Sequence, residues 1–200
     1  SCLEWASALT GLGGADRLVA TAEEAGVACG PELFLPYLSG ERTPHNDPHV
    51  RGAFLGLSHD TNPGRIAAAV LEGVAFAHAD GLAALREAGT RVDEMTVIGG
   101  GSRSRHWGAI LAAALDVRLN YVDGGEVGPA LGAAKLAMMA VTGAGAAEAC
   151  PRPQVVNAIE PDPRLAEHLA PKLEKFRRAY AAVGLGRAGQ HRLGGVRVDL

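Results

Sequence analysis

Residues 95–141 read MTVI-GGGSRS-RHWGAILAAAL-D-VRLNYV-DGGEVG-PALGAAKLAMMAV, and this stretch decides the fold class. A short apolar strand (95–98) runs into a glycine loop (99–104) and then a helix ending at Leu115. A second strand (117–122), a second glycine loop (123–128) and a second helix (129–141) follow. Strand–loop–helix repeated in this order predicts a parallel pairing with helices covering the sheet, an α/β fold. Ligands of such sheets bind beyond the C-terminal ends of the strands, where both glycine loops fall.

Upstream, residues 2–10 and 14–25 read as two short helices separated by Gly11, Gly13 and Gly14. Leu33-Phe34-Leu35 is a candidate buried strand, and Ala53–Leu57 a second. The polar segment YLSGERTPHNDPHVRG (37–52) lies between them, a long loop of the kind that carries or covers a site. Asn62 as N-cap and Pro63 at the first helical position announce a helix. Ile66, Val70, Val74, Ala77, Leu82 and Leu85 form its stripe, and Gly89 closes it. Gly73 and Gly81 within it call for close packing in compensation. Downstream, Gly143 ends the second helix of the repeat. A proline-rich connector, PRPQVVNAIEPDP (151–163), then leads to a terminal helix over 164–183, expected to break near Pro171. Residues 184–200, rich in Gly and Arg, are expected to be poorly ordered.

The 200 residues carry 19 Lys+Arg against 22 Asp+Glu, a net charge of −3, which gives no electrostatic footprint for nucleic acid or an anionic membrane. Hydrophobic residues at 48% and charged residues at 20% fit a globular protein and not a disordered one. Cys2, Cys29 and Cys150 are far apart and odd in number. They suit neither a disulfide framework nor a zinc knuckle, so a reducing cytoplasm is expected. No stretch reads as a membrane span or a signal peptide. Ser at position 1 is expected of a piece of a longer chain.

Gly99-Gly100-Gly101, after a strand and before a helix capped by Ser102 or Ser104, allows close backbone approach and offers helix N–H groups to an anion. A nucleotide's ribose and α-phosphate suit such a corner, and so does a plain tight turn. The loop is neither GxGxxG nor a Walker loop, and no acidic ribose partner follows, which disfavours a nicotinamide-dependent oxidoreductase. Gly124-Gly125-Glu126-Val127-Gly128-Pro129 repeats the pattern, as helix–strand packing or as a second wall of a nucleotide cleft. Gly128 and Gly132 share a helix face. His45, His49 and His59 lack metal-ligand spacing. Glu41 and Asp47 read as turn-forming before they read as an acid–base pair. Asp60 reads as helix entry, His78 as packing or surface, and Arg103 and Arg105 as a solvated helix face beside the loop. No GxSxG nucleophile motif occurs.

Four segments in order, LFLPYLSGERTPHNDPHVRGAFLGLSHDT, AVLEGVAFAHADG, VIGGGSRSRHW and DGGEVGPALGAAKLA, resemble the FGGY family of carbohydrate kinases, in particular its bacterial xylulokinase branch. The likeness runs from about Cys2 to about Val183. Part of the family signature stands at Gly52–Leu57 and Ile66–Glu72. Arg65 departs from it, where the family usually has an acidic, amide or His residue. The resemblance implies an RNase H-like, actin-like ATPase fold, with this chain supplying most of the C-terminal, nucleotide-binding domain (1–183). It places Gly99, Gly100 and Gly101 beside adenosine and α-phosphate, and Ser104 near adenine. It further implies ATP and Mg²⁺, D-xylulose as the sugar, transfer of the γ-phosphate to its 5-hydroxyl, and a homodimer for the intact enzyme. Ribulose, glycerol or gluconate are the alternative substrates, and a non-catalytic nucleotide-binding module is the alternative class. The family's catalytic base, an aspartate, precedes the matched segments, so no catalytic residue and no metal ligand is assigned here, and the chain alone is expected to be inactive.

Overall fold

Asn62 starts the helix around which the other elements assemble: its side chain accepts from the Arg65 N–H at 3.1 Å, and Pro63 takes the first helical position. In the computed structural model, which describes residues 1–127 and 129–188, the chain runs α1 (Cys2–Thr10), α2 (Ala15–Ala25), β1 (Leu33–Leu35), β2 (Ala53–Leu55) and α3 (Pro63–Glu87). It continues through β3 (Glu94–Val97), α4 (Arg105–Leu115), β4 (Arg118–Val122), α5 (Pro129–Thr142), α6 (Ala146–Ala149), β5 (Val155–Ile159) and α7 (Pro163–Ala188). Single 3₁₀ turns sit at Gly100–Arg103 and Gly125–Val127.

The buried face of α3 departs from the expected stripe: of its members Val70 and Leu82 are buried, whereas Ile66, Val74 and Ala77 are only half-buried. Ala67 to Gly73 are all buried, as are Ala75 and Phe76, because α1, α2, β1, α4 and α7 pack around it. Leu85, at the end of the stripe, emerges to solvent. The expectation that no stretch suits a membrane span needs correcting: α3 is long and apolar enough by length and composition, with mean hydropathy 1.4. Its apolar window is 67% buried inside the fold, so it serves as the core helix. Gly73 supplies the expected close packing, since a Cβ there would collide with the Phe34 carbonyl oxygen of β1. Gly81 does not: the nearest atom to its Cβ position is the Thr43 carbonyl oxygen at 4.0 Å.

The strands form two sheets. β1 and β2 pair antiparallel, Phe34 opposite Phe54, with ring centroids 4.6 Å apart and Trp5 of α1 stacked on both rings. In the second sheet, ordered β3-β4-β5, β3 and β4 are parallel as the strand–loop–helix repeat requires. The third strand corrects the reading of residues 151–163 as a connector: β5 pairs antiparallel with β4, Leu119 opposite Ile159. α7 also departs from expectation. It passes through Pro171 unbroken because Leu169 and Phe176, on either side of the proline, are fully buried and hold both halves in line. It runs on to Ala188, past the expected end at 183; residues 189–200 of the tail lie outside the described residues.

The loop between β1 and β2 is anchored on α7, where Tyr37 packs against Phe176 and Tyr180, and His45 stacks on Tyr180 with centroids 3.7 Å apart. The buried Tyr37 hydroxyl has no hydrogen-bond partner among the described residues. Burial, with Asp80 and Glu41 nearby, pushes its phenol pKa strongly upward. Tyr37→Phe is therefore expected to leave stability at pH 7 unchanged or raised by up to about 1 kcal/mol. The native chain keeps this proton where the unfolded chain loses it near pH 10, so stability falls as pH rises through that range. Urea midpoints between pH 7 and about pH 11 should fall less steeply in the variant.

Candidate functional site

The first glycine loop is built by its own backbone. Gly99 takes φ 78°, a left-handed conformation that favours glycine, and its N–H donates to the Gly125 carbonyl at 2.8 Å. Its carbonyl accepts from the Ser102 N–H at 3.1 Å and the Ser102 hydroxyl at 2.7 Å, closing the 3₁₀ turn. Ser104 then caps α4, its Oγ accepting from the Trp107 N–H at 3.1 Å. The Trp107 ring lies against Gly101 so closely that a Cβ there would overlap it.

This loop forms one side of an open groove of about 1080 Å³. Gly100, Gly101 and Ser104 line it, with Arg103 and Arg105; Gly99 is not among its lining residues. The opposite side is α1 and α2, contributing Ser1, Glu4, Gly14 and Arg17. Three helix N-termini, those of α1, α2 and α4, thus open on one space, and each presents unsatisfied N–H groups and the positive end of its dipole. Gly14 caps α2 without a side-chain acceptor, so that end lacks an internal one. Such a groove suits an extended ligand carrying an anionic group. Ser104→Ala is expected to cost about 1 kcal/mol through loss of the α4 cap, read by urea denaturation.

The described residues of the second glycine loop do not line the groove; Gly125 supports the first loop through its carbonyl. Gly128, on which the proposed packing face with Gly132 depends, lies outside the described residues. The remaining polar candidates resolve as local structure. The Glu41 carboxylate accepts from the His45 N–H at 2.8 Å, and Asp47 Oδ1 accepts from the His49 and Val50 N–H groups at 2.9 and 3.0 Å. Asp60 sits at the entry to α3, its carbonyl accepting from Arg65 at 3.3 Å. His78 is exposed. Burial pushes the Cys2 thiol up in pKa, and its Sγ lies 3.4 Å from the Pro36 carbonyl, which disfavours a thiolate nucleophile there. Among the described residues no group of three or more His, Cys, Asp or Glu side chains is placed to hold a metal.

Residues 4–141 match the model of the C-terminal domain of the FGGY family of carbohydrate kinases. The chain belongs to this family. Curated relatives include the xylulose kinase of Klebsiella pneumoniae, 46% identical over 182 residues, and that of Escherichia coli K12, 45% identical over 181. These alignments cover 90% of this chain but 38% and 37% of the relatives, so the chain spans well under half their length. Among solved structures, a xyloylose kinase from Brucella ovis is 41% identical with TM-score 0.80, covering 92% of this chain and 38% of that one. The xylulose kinase of Rhodospirillum rubrum is 28% identical with TM-score 0.73. The α/β architecture is accordingly that of the FGGY C-terminal domain, an actin-like ATPase fold. The match to the Brucella ovis structure covers more of the chain than the residues 4–141 that the family model takes in.

Proposed function

We propose that this FGGY domain is the nucleotide-holding part of an ATP-dependent sugar kinase whose intact form converts D-xylulose and ATP to D-xylulose 5-phosphate and ADP. The observation that carries the reading is the groove onto which three helix N-termini and the glycine loop converge. On this reading Gly100 and Gly101 admit the ribose and α-phosphate, Gly99 sets the turn, and Ser104 stands near the base. Xylulose is favoured as the sugar because the relatives at 46% and 45% identity are named xylulose kinases.

Phosphoryl transfer works by positioning and charge stabilisation, and the groove offers only part of that. No residue here is assigned as the base that takes the sugar hydroxyl proton. The described residues provide no metal cage, so Mg²⁺ would enter on the nucleotide's phosphates. The reading also includes a homodimer for the intact enzyme and a cytoplasmic setting.

Two measurements test it. Trp107 lies at the groove, so adding ADP should change tryptophan emission saturably, and Gly101→Val, which displaces the indole and fills the backbone approach, should weaken ADP binding by about tenfold or more. A response to NAD but not ADP would refute nucleotide-kinase assignment. A sugar panel on the full-length enzyme in a coupled ADP-release assay should give the highest kcat/KM with D-xylulose; preference for ribulose, glycerol or gluconate would overturn the substrate.

A further inference from the structure

α5 inverts the ordinary pattern of a surface helix. From Ala130 to Thr142 its sequence is apolar on nearly every side, with Lys135 the one charged residue. A helix of that composition belongs inside a fold, and this stretch is too short to cross a membrane. Yet only Lys135 and Met139 are half-buried, and every other residue from 130 to 142 is exposed. Leu136 is 68% exposed and Val141 87%. Among the described residues, the short α6 is the one element that packs on α5 to any extent.

The helix begins beside a second open feature, the free side of β3, which is the edge of its sheet. The Gly99 N–H, donating to the Gly125 carbonyl at 2.8 Å, ties the end of β3 to the turn that precedes α5. The Asp93 carbonyl accepts from the Arg118 N–H, so the backbone groups of Asp93, Met95 and Val97 face β4. Those of Glu94 and Thr96 face away and have no hydrogen-bond partner among the described residues. Neither a proline nor a bulge blunts this edge, and Ile98 and Val127 stand exposed where it meets α5. In a strand–helix repeat the helices cover the sheet. α4 does so here, packing on β4 and β5, whereas α5 does not. A further strand on β3 would supply the face that α5 lacks.

We propose that the edge of β3 and the apolar surface of α5 form one docking surface, and that its occupant is the polypeptide preceding this domain in FGGY kinases. An extended apolar segment adds to β3 by main-chain hydrogen bonds, and its side chains pack against Leu131, Leu136, Met138 and Val141. The length of the relatives favours this occupant: the matched domain is the family's C-terminal one, and it covers 38% of the Klebsiella pneumoniae kinase. A lipid surface is disfavoured by the unpaired strand edge, whose N–H and C=O groups hydrocarbon cannot satisfy. The proposal rests on membership of the family and not on what the groove binds.

The test compares amide hydrogen exchange in the 200-residue chain with that in a full-length chimaera, the Klebsiella pneumoniae kinase with its matched segment replaced by this chain. The Glu94 and Thr96 amides, unbonded in the chain alone, should exchange about a hundredfold more slowly in the chimaera, and residues 130–142 should slow with them. Equal rates in the two proteins would overturn the proposal. So would protection in the chain alone that grows with its concentration, which would make a second copy the occupant. A paired substitution, Leu136→Lys with Val141→Lys, decides the matter even where the chimaera does not fold. In the 200-residue chain it should leave the urea midpoint unchanged, because both side chains already stand in solvent. At the aligned positions of the unmodified Klebsiella enzyme it should cut the recovery of soluble active protein by about tenfold, because two charges would then be buried. Full recovery of that enzyme would overturn the proposal.

Discussion

Lys172→Met is expected to destabilise the chain by about 3–5 kcal/mol, among the largest effects of any surface-to-core contact in it. Lys172 of α7 reaches Glu72 of α3 at 2.5 Å and also donates to the Gly30 carbonyl at 3.0 Å. The Glu72 side chain is 1% exposed, and its other oxygen accepts from the Ala28 N–H at 2.6 Å. Removing the ammonium leaves a buried carboxylate with a single backbone donor, so the loss includes the penalty of an unpaired charge and not only the missing contact. The paired variant Glu72→Gln with Lys172→Met removes both charges, keeps an amide oxygen for Ala28, and should recover more than half of the loss. The contact also bears on the groove. Residues 28–30 leave α2, one of its walls, and the clamp fixes that exit against α3 and α7. Urea denaturation of the single and double variants measures the coupling; equal losses in both would show that the charge pair itself matters little. Arg177, which donates to Asp80 at 2.7 Å, is half-exposed, so its replacement should cost less.

What could be read from the sequence depended on whether the signal was local. Asn62-Pro63 and Gly99–Gly101 act through their own backbone geometry, so the start of α3 and the turn after β3 were legible. β5 was not: Val155 and Val156 stay exposed, alternation is absent, and prolines flank the segment, so its strand character comes from pairing with β4 about 35 residues upstream. Pro171 was misread because the propensity of a proline to end a helix is outweighed here by burial of Leu169 and Phe176. The far wall of the groove was missed altogether. Glu4, Gly14 and Arg17 are ordinary helix-start residues, and only the packing of α1 and α2 over α3 brings them opposite a loop some 90 residues later. Glycines recurring at helix starts in residues 11–14 and 99–104 were the one available hint.

Gly73→Ala provides the second large effect, because two opposing terms act on it and their sizes differ. Alanine in place of glycine in a helix interior gains about 1 kcal/mol of propensity. At Gly73 the added methyl would overlap the Phe34 carbonyl oxygen and lie 3.2 Å from Phe34 Cβ. Neither can yield easily. The carbonyl is backbone, β1 is pinned to β2 by its ladder, and Phe34 is 1% exposed between Phe54 and Trp5. Relief requires α3 to move away from β1, which opens voids along a helix buried on most sides. The overlap should therefore outweigh the propensity gain, for a net loss of about 2–3 kcal/mol. Gly132→Ala is the matched control: it sits in the interior of α5 with nothing within 4 Å of its Cβ position, so the propensity term acts alone and stability should stay level or rise by up to about 1 kcal/mol. Urea denaturation of the two variants side by side separates the terms. If both shift the midpoint in the same direction, close approach of α3 to β1 is not what requires glycine at position 73.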